Sequence, residues 1–190
     1  MKTPPPALAE RLVAASEQVL HPNRDMRLEE VAALVGSKRA TLYYYFSGRD
    51  DLIAFLLEEH LAAAAAAIAE AASDGPPEAR LRAGLGALIG FLGQRPGVCA
   101  GLLAFAGATG RMHAVMAAKD TLIAAPIRDM LDAGVSAGVF ATGDTMDATN
   151  AALGAVMIAT MGRWQRGIAA DPAFQQDLTE QLVRGVSVRG

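Results

Sequence analysis

The sequence predicts an all-α protein, and three observations carry that prediction. Apolar residues make up 52% of the 190-residue chain but aromatic ones only 5%, so most of the apolar content is small. Alanine leads it, and alanine is the strongest helix former, whereas strands favour β-branched and aromatic side chains. Apolar positions recur at helical spacing between glycine and proline breakers, and no alternating strand pattern survives. With 19% charged residues, the chain is the opposite of one too polar to bury a core. A chain of this length buries roughly 70% of its unfolded surface and needs no disulfide or metal to fold.

After Pro4-Pro5-Pro6, the spacing of Leu8, Leu12, Ala15 and Val19 predicts a first helix running to about Leu20, stopped by His21-Pro22-Asn23. Leu28, Val31, Ala32 and Val35 mark a second, with Glu29 and Glu30 in its first turn, where the macrodipole favours negative charge. Gly36 ends it, and the third helix, Ser37 to Phe46, is short because Ser47-Gly48 follows. Asp50 and Asp51 open a long fourth helix that carries Leu52, Phe55, Leu56 and an alanine run to about Ala72. Beyond Ser73-Asp74-Gly75-Pro76-Pro77, helices are expected near Pro77 to Gln94, Gly97 to Ala108, Arg111 to Ala137, Asp144 to Gly167 and Asp171 to Val186. Pro126 should kink the third of these.

A net charge of −3 gives no global attraction for nucleic acid, so such a function needs a local patch. One exists. Val31 to Arg49 reads VAALVGSKRATLYYYFSGR, with Lys38, Arg39 and Arg49, no acidic residue, and all three tyrosines of the chain followed by Phe46. A helix, a glycine turn and a second helix form the arrangement in which the second helix enters the DNA major groove. Leu42 and Phe46, four apart, share a face and should anchor that helix to the core. Three consecutive tyrosines lie 100° apart around a helix and cannot share one buried face. Arg39, Thr41, Tyr43, Tyr44 and Tyr45 therefore point outward, offering a guanidinium for guanine edges or phosphates and hydroxyls for phosphate oxygens. With Ser37, Lys38 and Arg49 they are the candidate DNA-binding residues.

The stretch resembles the DNA-binding domain of the TetR family of bacterial transcriptional regulators. That family's pattern of a glycine turn, Leu-Tyr-x-x-Phe, a basic residue, an acid and leucine is matched over about 50 residues by Gly36, Thr41, Leu42, Tyr43, Phe46, Arg49, Asp50 and Leu52. The resemblance implies phosphate contacts by Tyr43 and Arg49 and base reading by the exposed face of the third helix. Three positions depart from the pattern. Ser37 and Lys38 stand where the family usually has valine and serine, which moves the N-cap of the recognition helix to Ser37 or removes it. Tyr45 replaces a frequent histidine.

The expected organisation is a three-helix helix-turn-helix domain, residues 4–50, joined by the long helix to a helical ligand-binding and dimerisation domain, residues 51–190. Charge is absent from Gly97 to Gly110 and from Asn150 to Gly162. Phe91, Leu102, Phe105, Met112, Met116, Met130, Met157, Met161 and Trp164 are candidate lining for an apolar effector cavity, and core filling is the alternative for any one of them. The last two helices, with Phe174, Leu178, Leu182 and Val186 as a stripe, suggest a four-helix homodimer interface, as the resemblance also implies.

The expected function is a ligand-responsive regulator, a repressor by the family's usual mode, that binds a palindromic operator in double-stranded DNA as a homodimer and is released by a small apolar effector. The alternatives are a constitutive DNA-binding helical protein and, behind it, a helical small-molecule-binding protein or enzyme. For an enzyme the chain offers little: His21, His60 and His113 are isolated in sequence, HExxH and CxxC are absent, and Gly84-Leu85-Gly86 lies inside a helix with no strand before it. No cofactor or metal is expected. Cys99, in an apolar stretch, reads as inert core rather than a thiol sensor. His113, near Met112 and Met116, reads as capping a turn rather than touching a ligand. With a single cysteine, no secretory signal in the opening residues and no apolar stretch that spans a bilayer, the chain is expected to be cytoplasmic and to have no membrane partner.

Overall fold

A computed structural model describes residues 2–21, 23–104 and 111–188. The described residues form helices α1 (Pro6–Ala14), α2 (Ser16–Val19), α3 (Leu28–Leu34), α4 (Arg39–Tyr45), α5 (Arg49–Ala71), α6 (Pro77–Gly93), α7 (Pro96–Ala104), α8 (Arg111–Lys119), a π turn (Asp120–Ala124), α9 (Ala125–Ser136), α10 (Thr145–Gln165) and α11 (Pro172–Val186). Their strand content is limited to one isolated antiparallel bridge between Phe140 and Ser187. The chain divides into two compact units, residues 1–60 with 95–117 and residues 61–94 with 118–190.

In the first unit, proline at the first turn of α1 has no N–H to leave unsatisfied, and Leu8 and Leu12 face inward. The single helix expected to Leu20 is instead interrupted at Ala15, whose N–H is shared between the carbonyls of Arg11 and Leu12. The helix restarts at Ser16, which is buried with its Oγ 2.7 Å from His60 Nε2. That polar contact is absent from the apolar pattern, so the pattern reads straight through it. On α3, Glu30 accepts the Arg27 N–H at 2.7 Å and closes the start of the helix.

The end of α3 forms a Schellman motif: Ser37 N–H donates to the Ala32 carbonyl and Gly36 N–H to that of Ala33, with Gly36 at φ +62°. Arg11 adds a guanidinium bond of 2.7 Å to the Val35 carbonyl. Ser37 is thereby committed to ending α3. α4 starts two residues later, with Lys38 as N-cap and no side-chain cap, so of the two outcomes expected from the sequence the cap is lost. α7 carries buried Val98, Cys99 and Leu102, and Glu17 accepts the Gly97 N–H at 2.9 Å.

In the second unit, Leu81, Leu85, Leu88, Ile89 and Leu92 of α6 are buried, and α11 lies along α6. Gln175 donates to the Gly86 carbonyl at 2.7 Å, and Arg82 pairs with Glu180 at 2.7 Å. The helix expected from Arg111 to Ala137 is α8, the π turn and α9 in unbroken succession. Pro126 cannot donate to the carbonyl of Leu122 and its ring crowds it. The helix responds before the proline: Ala125 N–H reaches back five residues to Asp120 rather than four, a widening that accommodates the proline without a break. After α9, Phe140 folds back against Gly134, where a Cβ would stand 1.9 Å from the ring.

By length and composition α5 is apolar enough to cross a membrane. In this fold its Leu52, Ile53, Leu56, Leu57 and Ile68 are core residues. The sequence-expected end of the helix begun at Gly97, and the Gly107 to Gly110 breaker, lie outside the described residues.

Candidate nucleic-acid interface

Helix α4 is seated by Leu42 and Phe46, both fully buried, with the Phe46 ring 5.5 Å from that of Phe55 on α5. Burial of this pair turns the other faces of the helix outward. Tyr43 and Tyr44 are 44% and 58% exposed, and Lys38 and Arg39 are exposed. Ser37, Thr41, Tyr45 and Arg49 are half-buried. Tyr45 is thus less outward than its position suggests: the Tyr44 and Tyr45 rings meet edge to face at 4.9 Å, a favourable aromatic geometry. Lys2 Nζ lies 3.6 Å from the centre of the Tyr44 ring, which brings a further cation to this face.

The window from Val31 to Arg49 is free of acid in sequence, but acids outside it fold back onto its cations. Glu29 Oε1 lies 3.0 Å from Arg39 Nη2 and accepts the Tyr43 hydroxyl at 2.9 Å. The Arg39 guanidinium stands 5.1 Å from the centre of the Tyr43 ring. The Glu29 carboxyl is held below its ordinary value, first by its own backbone N–H, then by the Tyr43 hydroxyl and more weakly by Arg39 and Arg27. Asp25 pairs with Arg49 at 3.0 Å, and the Arg24 carbonyl accepts from Arg49 at 3.4 Å. Sequence reasoning missed Glu29 and Asp25 because they enter through the fold. Their signal was Glu29 at the start of α3, about two turns before the Gly36 corner that brings α4 beside it.

The start of α5 is fixed to the end of α4. Asp51 accepts the Ser47 N–H at 3.0 Å and the Ser47 hydroxyl, and these two bonds, the hydroxyl's first, hold its carboxyl below the usual range. Arg111 of α8 lies 3.3 Å from Glu58 and 3.9 Å from Asp51. Arg39, Tyr43 and Tyr44 therefore project from a short helix whose two ends are pinned. That arrangement suits a rigid surface whose guanidinium and Tyr43 hydroxyl can exchange the Glu29 carboxylate for phosphate oxygens or base edges.

The candidate effector residues are dispersed. Leu102 and Met112 are buried and Met116 half-buried in the first unit, while in the second Met130 and Met161 are buried and Phe91, Met157 and Trp164 half-buried. Phe105 lies outside the described residues. Met130 also lines a cleft of 430 Å³ in the second unit, with Ile68, Ala69, Arg80, Leu122, Pro126 and Asp129 among its walls. Cys99 is fully buried, and burial, with Glu17 nearby, pushes its thiol up to about 12. At neutral pH it is a protonated core residue, not a reactive thiolate. His113 is exposed.

Among the described residues of α10, Ile158 is 62% exposed, and an added Cβ at Gly154 or Gly162 would meet nothing within 4 Å. On α11, Leu178 is buried while Phe174, Leu182 and Val186 are half-buried.

No family model matches the chain, and no curated protein sequence matches it. Solved structures do match. A bacterial regulatory protein of the tetR family from Rhodococcus RHA1 has a TM-score of 0.82 at 19% identity, over 98% of this chain and 100% of that one. A TetR family transcriptional regulator, PfmR from Thermus thermophilus, has a TM-score of 0.74 at 20% identity, over the whole of both chains. The transcriptional regulator FadR from Bacillus subtilis, in complex with stearoyl-CoA, has a TM-score of 0.79 at 15% identity, over 93% of this chain and 98% of that one. The chain has the all-α fold of the TetR-family regulators across its length.

Proposed function

We propose that this chain is a TetR-family transcriptional regulator that binds operator DNA through α4 and responds to a small apolar effector. The observation that carries the reading is the seating of α4: Leu42 and Phe46 bury one face, and Arg39, Tyr43 and Tyr44 stand on the other. Residues 4–50 act as the DNA-binding domain and residues 51–190 as the effector and dimerisation domain. Such a protein works in the cytoplasm as a regulator, not an enzyme.

Ser37, Lys38, Arg39, Thr41, Tyr43, Tyr44, Tyr45 and Arg49 make the DNA contacts, Arg39 to base edges or phosphates and the tyrosine hydroxyls to phosphates. The exposed Ile158 among small residues on α10 and the half-buried stripe on α11 support a homodimer through these helices, because an apolar face left open on a monomer is the usual mark of an interface. A two-fold dimer sets the reading heads about 34–36 Å apart or somewhat more and calls for a palindromic operator.

The effector, apolar by the character of the candidate lining, shifts the long helix and with it the spacing of the two α4 helices. DNA is released to the extent that the effector prefers the spacing that does not fit. The Met130 cleft supports room for a ligand in the second unit, and the FadR neighbour was solved with stearoyl-CoA. Repression is the corresponding mode of action.

Fluorescence anisotropy on operator DNA tests the reading. Arg39→Ala and Tyr43→Ala are expected to weaken binding while the dimer and the helical circular dichroism stay as they are; unchanged affinity in both variants refutes the assignment of α4. Thermal shift against apolar compounds tests the effector, since a ligand of the folded state raises stability with its concentration.

A further inference from the structure

We infer that Glu29 is a positioning residue that sets how well α4 distinguishes its operator from other DNA. The inference rests on the proposed DNA-binding role of α4. Two contacts meet at one carboxylate, Arg39 at 3.0 Å and the Tyr43 hydroxyl at 2.9 Å, and the two groups so held face each other with the guanidinium 5.1 Å from the Tyr43 ring centre. Arg39 and Tyr43 are one turn apart on α4, while Glu29 comes from the first turn of α3, a separate element that the Gly36 corner fixes in place. The Arg39 side chain is 69% exposed and has no wall to hold it; Glu29 supplies the restraint.

Exposed ion pairs add little to folding, so the consequence of this one falls on recognition. Two effects follow from a carboxylate at that place. It fixes the direction of a guanidinium that must meet a base edge with both its donors aligned, and such alignment is what discriminates bases. It also sets a negative charge beside the very groups that would otherwise neutralise phosphates on any sequence, which weakens the sequence-independent part of binding. Both effects raise the ratio of specific to non-specific affinity, the quantity that decides occupancy in a genome. A plain basic surface would do the reverse.

The test compares the full-length parent, Glu29→Ala and Glu29→Gln on the selected operator and on a random duplex of equal length, over a series of salt concentrations. Circular dichroism and the thermal midpoint serve as folding controls. For Glu29→Ala, affinity for random DNA is expected to rise, with a salt dependence steeper by about one phosphate contact, and the specificity ratio to fall about tenfold. Glu29→Gln removes the charge but keeps an acceptor for Tyr43 and Arg39, so its ratio is expected to lie between those of the parent and Glu29→Ala. A specificity ratio unchanged in Glu29→Ala overturns the inference and leaves the DNA-binding reading intact. A glutamine ratio as low as that of alanine overturns the positioning role. A parent with no operator preference at any salt concentration removes the reading itself, and the inference with it.

Discussion

The Tyr43 hydroxyl donates to Glu29 Oε1 across 2.9 Å. This bond joins the helix that would read DNA to the helix that supports it, and the same carboxylate oxygen pairs with Arg39. In the free protein these two donors are therefore engaged, so phosphate contact by either exchanges one acceptor for another. Tyr43→Phe keeps the ring and removes that exchange. It is expected to weaken operator binding by about 1 kcal/mol, the net worth of a hydrogen bond, with the melting temperature unchanged. Anisotropy titration alongside a thermal melt checks both parts.

The seating of α4 bears on stability as well as on function. Phe46→Ala removes a fully buried ring packed on Phe55 and is expected to cost about 3–5 kcal/mol. Tyr44→Ala, at a position 58% exposed, is expected to stay within about 0.5 kcal/mol of the parent. Urea denaturation of the two variants measures the contrast. Equal effects would mean that the two faces of α4 are not divided as described.

His60 makes the first unit sensitive to acid. Burial, assisted by Arg95, depresses its pKa from 6.5 to about 4, and Ser16 is its partner at 2.7 Å. The folded state thus binds its proton less readily than the unfolded chain. The stability that neutral His60 contributes is complete above about pH 6.5 and declines as pH falls toward 4, by up to about 3 kcal/mol. Denaturation at a series of pH values should show that slope, and His60→Asn should flatten it. The same slope in the variant would place its origin elsewhere.

Gly134 tests the packing of the second unit. A Cβ there would lie 1.9 Å from Phe140 Cδ2, and the Phe140 ring is itself buried. Gly134→Ala is expected to destabilise by about 1–3 kcal/mol despite the better helix propensity of alanine. Calorimetry of this variant beside Gly86→Ala, where the nearest atoms to an added Cβ lie 3.7 Å away, separates the steric cost from propensity.

The exposed face of α10 supplies the test of assembly. Ile158→Asp introduces a charge at a site 62% exposed in the single chain, so the fold of the monomer should tolerate it. A dimer formed through that face should not. Light scattering after size exclusion is expected to show a shift from dimer to monomer.

What the sequence made legible is what depends on local periodicity. Leu42 and Phe46 stand four apart and are both buried, while Tyr43 and Tyr44 between them are exposed. The fold class and most helix boundaries follow from the same spacing and from proline and glycine punctuation. The misses are non-local or finer than the pattern. Glu29 and Asp25 reach the basic window only after Gly36 and the preceding loop turn the chain, so a stretch free of acid in sequence is not free of acid in space. The sequence left open whether Ser37 caps the recognition helix or the cap is lost, and the Schellman bond from Ser37 to Ala32 decides for its loss. The interruption at Ala15 answers to a buried Ser16–His60 contact spanning 44 residues. Pro126 was visible as a disturbance, but its outcome as a π turn depends on how the neighbouring turns are held.

The central claim is that α4 reads DNA from a two-fold dimer, and selection of bound sequences from random duplex DNA tests it most directly. The expected result is an enriched palindrome whose half-sites are centred about one helical turn apart, 34–36 Å, or somewhat more, with the enrichment lost in Arg39→Ala. An unenriched pool, or a single asymmetric site bound equally well by that variant, would contradict it.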